Sequence, residues 1–172
     1  MTSPDALVRT DPPPAADERA TLLAFLDYHR ATLARKCAEL TDEQLRHRAV
    51  PPSTLSLLGL VRHLAAVERH WFQEVLLGER PDPLYWSPEQ PDGDFDDVDT
   101  ADPAEAFATW RREVELADRA LRGLPLERVA ATGGRDRGVT LRWILTHLIE
   151  EYARHNGHAD LLREAIDGRT GE

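Results

Sequence analysis

Apolar residues recur along most of the chain at steps of three and four positions, separated by stretches rich in proline, glycine and aspartate. This spacing keeps one face of an α-helix apolar, so it predicts amphipathic helices. We expect long helices at about residues 16–40, 53–78, 103–121 and 140–166, and a short helical turn beginning at Thr41. Four long amphipathic helices with long connections predict an all-α fold, a four-helix bundle.

Two segments lack this apolar period. Residues 1–15 contain three consecutive prolines and are predicted to form a flexible N-terminal tail, which leaves residues 16–172 as a single bundle domain. Residues 79–102 are predicted to form a long acidic loop rich in proline, aspartate and glycine. A loop of this length inside a compact domain is usually functional or mobile, so it is a candidate cover for a site.

The apolar face of the last predicted helix is interrupted by ionisable residues. Glu151, His155 and His158 continue a stripe that apolar residues fill at both ends. A buried carboxylate or imidazole is costly unless it is paired or bound to a metal. His63 lies on the predicted buried face of the second long helix, so His63, Glu151 and His155 together form a candidate site for a divalent metal ion. A buried hydrogen-bonded network is the alternative interpretation.

Other polar side chains flank these three positions. His158 is a candidate catalytic residue that accepts the proton of a bound thiol, or else a polar residue at the edge of the site. His147, one turn before Glu151, is an alternative ligand. Arg154 and Arg62 flank the candidate ligands: they orient Glu151 or bind a substrate carboxylate, or else they form part of a solvated face.

Aromatic residues fall into two groups. Tyr85 and Trp86 lie in the acidic loop, where they either cover the mouth of the site or anchor the loop to the bundle, and Trp86 is the candidate ligand-binding residue of the pair. Trp71, Trp143 and Tyr152 have the spacing of core residues on their helices.

Composition narrows the classes of partner. The formal net charge of -10 argues against a nucleic acid or an anionic membrane surface as a partner. No apolar run approaches the roughly 18 residues of a membrane span, and the N-terminus lacks a signal pattern, so we expect a cytoplasmic protein. Cys37 is the single cysteine, which excludes an internal disulfide, and its position on an apolar face predicts a buried, unreactive thiol.

Two motifs resemble a known family. SLLGLVRHLAAVERHWF, residues 56–72, is similar to the second-helix motif of the DinB-like superfamily, and EEYARHNGHADLLREAIDG, residues 150–168, is similar to its last-helix motif. The resemblance is closest to the mycothiol-dependent branch that includes the maleylpyruvate isomerases. It implies a DinB-type bundle in which His63, Glu151 and His155 bind a divalent metal. Glu151 stands where many relatives carry a histidine.

The resemblance also implies an activity. Zinc is the expected ion, with nickel, manganese and iron as alternatives, because a carboxylate ligand tolerates each of them. The implied reaction is transfer of a low-molecular-weight thiol, mycothiol if the source makes it, to a small electrophile. A non-catalytic, stress-related bundle that binds a small ligand and a metal-dependent hydrolase are the alternatives. The sequence is compatible with a homodimer but does not determine one.

Overall fold

The chain is α-helical in the computed structural model, which describes residues 9–131 and 138–170. Within these residues the all-α prediction is confirmed, since the only β-type pairing there is an isolated bridge between Val129 and Thr140. The first eight residues of the predicted tail lie outside the described part. The helices are α1 (Glu18–Cys37), α2 (Asp42–Arg46), α3 (Leu57–Glu68), its continuation as a π-helix (Arg69–Leu76, the π segment), α4 (Gly93–Asp96), α5 (Pro103–Ala120) and α6 (Leu141–Asp167). Among the helices described, none has the length and apolar character needed to span a membrane.

Side-chain caps determine where the site-bearing helices begin and end. The Ser56 hydroxyl accepts a hydrogen bond from the Gly59 backbone N–H at 3.1 Å, so α3 begins at Leu57 and not at the predicted residue 53. Thr140 caps α6 as predicted. The same helix ends at Gly168, whose φ of 74° is the left-handed conformation that glycine adopts without strain.

The four long helices pack in two pairs. Helix α1 lies along α6, and α3 lies along α5, while α3 also contacts α6. The core between them is built from fully buried side chains that include Leu26, Leu33, Leu60, Leu64 and Leu148. Because α3 and α6 touch, residues on their facing sides can form one site.

A buried polar network crosses the middle of the core. Arg30 of α1 donates from Nε and Nη2 to the two carboxylate oxygens of Glu68 on α3, both at 2.8 Å. Tyr152 of α6 donates its hydroxyl to Glu68 at 2.8 Å, and Trp110 of α5 donates its indole N–H to the Tyr152 oxygen at 2.8 Å. Burial raises the pKa of Tyr152 well above its usual value, so it stays a neutral donor. The network therefore ties all four long helices together.

The second long helix continues beyond α3 as the π segment, Arg69–Leu76. A π-helix has a wider turn than an α-helix, and such segments are frequent at functional sites. Within it Trp71, Phe72, Val75 and Leu76 are buried. The predicted core position of Trp71 is thus confirmed, as is that of Tyr152. The prediction for Trp143 is wrong, because it lies beside the buried face of α6 and its side chain is 46% exposed.

The acidic loop, residues 79–102, is folded against the bundle. It contains α4, which packs on α3. Gly93 is required at the start of α4, since a Cβ atom there would lie 2.3 Å from the Tyr85 carbonyl oxygen. Arg62 donates to the carbonyl oxygens of Gly93 and Asp94 at 2.9 and 3.0 Å. The loop is therefore held at a defined position over α3.

Candidate metal centre

The three predicted ligands come together at the contact between α3 and α6. His63, Glu151 and His155 each offer a ligand atom, and these atoms lie within 4.8 Å of one another. His155 Nε2 is 3.4 Å from Glu151 Oε2, and the two imidazole centroids are 4.7 Å apart. Ligand atoms about 2.0–2.1 Å from a tetrahedral ion lie roughly 3.4 Å apart, so a small contraction would complete the set.

The three side chains differ in exposure. His155 is buried, whereas Glu151 and His63 are only partly buried. The predicted stripe placed Glu151 and His158 at the centre of the buried face of α6, but Tyr152 and Ala159 occupy that centre instead. Glu151 and His158 therefore lie at the edge of the face, which leaves the cluster accessible from outside.

The acidic loop supplies a fourth member of the cluster. Asp94 Oδ2 lies 2.8 Å from His63 Nδ1, and Phe95 stacks on the His63 ring with centroids 4.9 Å apart. A carboxylate at Nδ1 favours the tautomer with a proton there, which leaves the Nε2 lone pair free for an ion. The only sequence signal for this contact was the acidic run, and the run does not indicate which carboxylate folds back onto α3.

The environment of His155 keeps its imidazole neutral. Burial, together with the neighbouring charges of His63 and His158, lowers its pKa to about 4. A neutral imidazole is the form that binds a metal ion. His158 Nδ1 lies 3.3 Å from His155 Nδ1, so His158 contacts the cluster through His155, and its catalytic role stays a prediction.

One comparison with known proteins identifies the family. Residues 21–168 match the family model for mycothiol-S-transferase. The chain belongs to this family. The matched range runs from α1 to the end of α6 and includes every residue of the cluster. It confirms the resemblance to the mycothiol-related branch of the DinB-like proteins. No curated protein matches the chain.

In this member of the mycothiol-S-transferase family, the two flanking arginines have different surroundings. Arg62 is buried, donates to the acidic loop and lies 3.9 Å from the centroid of the Tyr85 ring, so its interpretation as part of a solvated face is wrong. Arg154 is exposed and hydrogen-bonds Glu150, with Nε 3.0 Å from the carboxylate. Arg154 thus forms part of the outer rim next to Glu151.

A cavity of about 890 Å³ extends along the same face of α3 beyond His63. Ala66 and His70 line it one and two turns after the ligand, and Tyr85 and Trp86 of the acidic loop form another part of its wall. The Trp86 side chain is 55% exposed. His63, Glu151 and His155 are not among the residues that line this cavity, and the role of Trp86 as a cover for them stays a prediction.

The position of His147 is compatible with its interpretation as an alternative ligand. His147 Nε2 lies 3.7 Å from Glu151 Oε1, and its Nδ1 lies 3.3 Å from Glu150 Oε2. His147, Glu150 and Glu151 form another group whose ligand atoms lie within 4.8 Å of one another.

Proposed function

We propose that this protein is a metal-dependent transferase that joins a low-molecular-weight thiol, mycothiol where the source makes it, to a small electrophile. The observation that supports the proposal most strongly is the convergence of His63, Glu151 and His155 in a chain of the mycothiol-S-transferase family. The sulfur comes from outside the protein, because Cys37 is buried and its burial raises the thiol pKa to about 12.

The donor set fits a divalent ion. Two neutral imidazoles and one carboxylate suit zinc, and nickel, manganese or iron could replace it. When bound, such an ion would supply positive charge that favours the thiolate form of the thiol substrate. Zinc is the ion we propose, since it binds nitrogen, oxygen and sulfur donors in proteins.

The surrounding residues have separate tasks in this proposal. Asp94 accepts a hydrogen bond from His63 and holds its ring in place. His158 accepts the proton that the thiol loses, since it is partly exposed and lies next to His155. Sulfur then bonds to the electrophilic carbon. Where that carbon carries a leaving group such as bromide, the carbon–bromine bond breaks, bromide leaves and the proton passes to solvent. Where the thiol adds to a double bond, the π bond breaks and the proton ends on the product.

Arg154 and Trp86 are proposed as the residues that contact the substrates. The Arg154 guanidinium lies on the rim beside Glu151 and donates to Glu150. It could release Glu150 and bind a carboxylate of the thiol or of the electrophile in its place. Trp86 offers an exposed aromatic face at the wall of the cavity, which suits an apolar part of either molecule.

The cavity supports a second candidate function. Because the 890 Å³ cavity is separate from the ligand cluster, the protein could bind a small ligand without transforming it. A reaction with water in place of thiol is the remaining alternative, since the same cluster could serve hydrolysis. A homodimer and a cytoplasmic location remain predictions.

One experiment separates these functions. The untagged protein is loaded with zinc and incubated with mycothiol and monobromobimane, and thioether formation is followed by fluorescence. We expect turnover in the wild type, loss of turnover and of zinc in His155→Ala, and full activity in the exposed control His47→Ala. Zinc binding without thiol turnover would favour the binding protein, and product formed without thiol would favour a hydrolase. Full zinc occupancy in His155→Ala would contradict the ligand assignment.

A further inference from the structure

We propose a second divalent-cation site, formed by His147, Glu150 and Glu151, that shares Glu151 with the first cluster. The three residues occupy positions i, i+3 and i+4 of α6, which lie on one side of a helix. Their ligand atoms already lie within 4.8 Å of one another. This site is a feature of the residues themselves and does not depend on the transferase proposal.

Glu151 is positioned between two imidazoles. Its Oε1 lies 3.7 Å from His147 Nε2, and its Oε2 lies 3.4 Å from His155 Nε2. Both separations are close to the roughly 3.4 Å expected between two ligands of one tetrahedral ion. Each oxygen therefore faces a different imidazole, and the carboxylate can bridge two ions without moving far. Pairs of ions about 3.5–4 Å apart are an established arrangement in proteins.

The ring of His147 is held by aromatic neighbours. It stacks on Trp143 with centroids 5.0 Å apart and an interplanar angle of 25°, and it meets Trp71 edge-on at 4.9 Å. These contacts turn the two ring nitrogens towards the carboxylates. They also account for Trp143, which lies outside the buried core yet packs against a histidine of α6.

The charges at the site favour a cation. Glu150 and Glu151 bring two carboxylates to one imidazole, and Arg154 contacts only Oε1 of Glu150. Oε2 of Glu150 remains on the side of His147, 3.3 Å from Nδ1. The two ring nitrogens face different carboxylates, so one side chain must adjust for all three ligands to reach one ion. Glu150 is exposed and is held by Arg154 through Oε1 alone, so it is the side chain that can adjust. Nitrogen and oxygen donors of this kind suit zinc, nickel or copper.

The test counts ions and locates them. Equilibrium dialysis of the metal-free protein against nickel should give two equivalents in the wild type, and tryptophan fluorescence should fall because Trp71 and Trp143 adjoin His147. His147→Gln, which keeps most of the side-chain volume, and Glu150→Gln should each retain one equivalent and lose most of the quenching. His63→Ala should also retain one equivalent but keep the quenching.

A matched control exists on the neighbouring helix. His70 pairs with Glu74 at i and i+4, with 2.9 Å between Nδ1 and Oε2, and its ring also meets Trp71. His70→Gln should leave both equivalents and the quenching unchanged. One equivalent in the wild type, or two equivalents in both His147→Gln and Glu150→Gln, would overturn the second site. Loss of all nickel in His63→Ala would also overturn the second site. It would show that every bound ion depends on the first cluster.

Discussion

Replacing Asp94 with asparagine tests the least expected contact of the candidate metal centre. The Asp94 carboxylate is 15% exposed and lies 2.8 Å from His63 Nδ1. Asparagine has the same shape but no charge, and its NH₂ group can donate to Nδ1. Such a donation would require the proton on Nε2, which would take away the Nε2 lone pair that an ion needs. We therefore expect the substitution to weaken metal binding while the fold is retained.

The size of the effect follows from the kind of contact that is lost. Carboxylates that orient a ligating histidine typically contribute 10–100-fold to metal affinity, which corresponds to about 1.4–2.8 kcal/mol. Competition with a chromophoric zinc chelator measures the Kd directly. Asp96→Asn is the matched control, because Asp96 belongs to the same short helix and is exposed.

The outcomes are distinct. A Kd for Asp94→Asn within twofold of the wild-type value would refute the proposed role of Asp94 in orienting His63. A similar loss in Asp96→Asn would instead attribute the effect to the overall charge of the loop. If the wild type binds no zinc, the metal assignment fails as a whole, and the contact between Asp94 and His63 is then structural.

Three further predictions concern stability and reactivity. Glu68→Gln should lower the free energy of unfolding by about 3–5 kcal/mol in urea titrations, because it leaves the buried Arg30 guanidinium without its main partner. Gly93→Ala should destabilise the loop by about 1–3 kcal/mol and weaken zinc binding through displacement of Asp94, both measurable on one preparation. Cys37 should resist iodoacetamide at pH 8 in the native protein and react fully in urea, since burial raises its pKa to about 12.

The helices could be predicted because their apolar periodicity and capping residues are visible in the sequence. Helix starts at Asp102 and Thr140, and the stop at Gly168, depend on capping residues and adjacent periodicity, so they were predictable. The start of α3 was misplaced, since Ser53, Thr54 and Ser56 are all acceptable caps and only the packed structure selects Ser56. Capping propensity alone cannot decide which of several nearby serine and threonine residues begins the helix.

Long-range polar contacts were harder to anticipate. The cluster of His63, Glu151 and His155 could be anticipated because polar side chains interrupt predicted apolar faces. Arg30 and Glu68, by contrast, pair across 38 positions of sequence, and a charged residue on a helix is normally read as exposed. Asp94 is one of several acidic residues in a single loop, so its contact with His63 depends on how that loop folds back. Such pairings depend on tertiary packing and leave no periodic pattern in the sequence.

The same reasoning indicates why the candidate centre combines three chain segments. Helices α3 and α6 are fixed relative to one another by the buried network around Glu68, which lies five residues after His63 on α3. The third segment, the acidic loop, is held by Arg62, the immediate neighbour of His63. A displacement of the loop therefore reaches His63 directly through its neighbour Arg62. A change at Glu68 reaches the cluster only by shifting α3 relative to α6. Asp94→Asn should alter metal affinity at nearly constant stability, whereas substitutions at Glu68 should alter stability first.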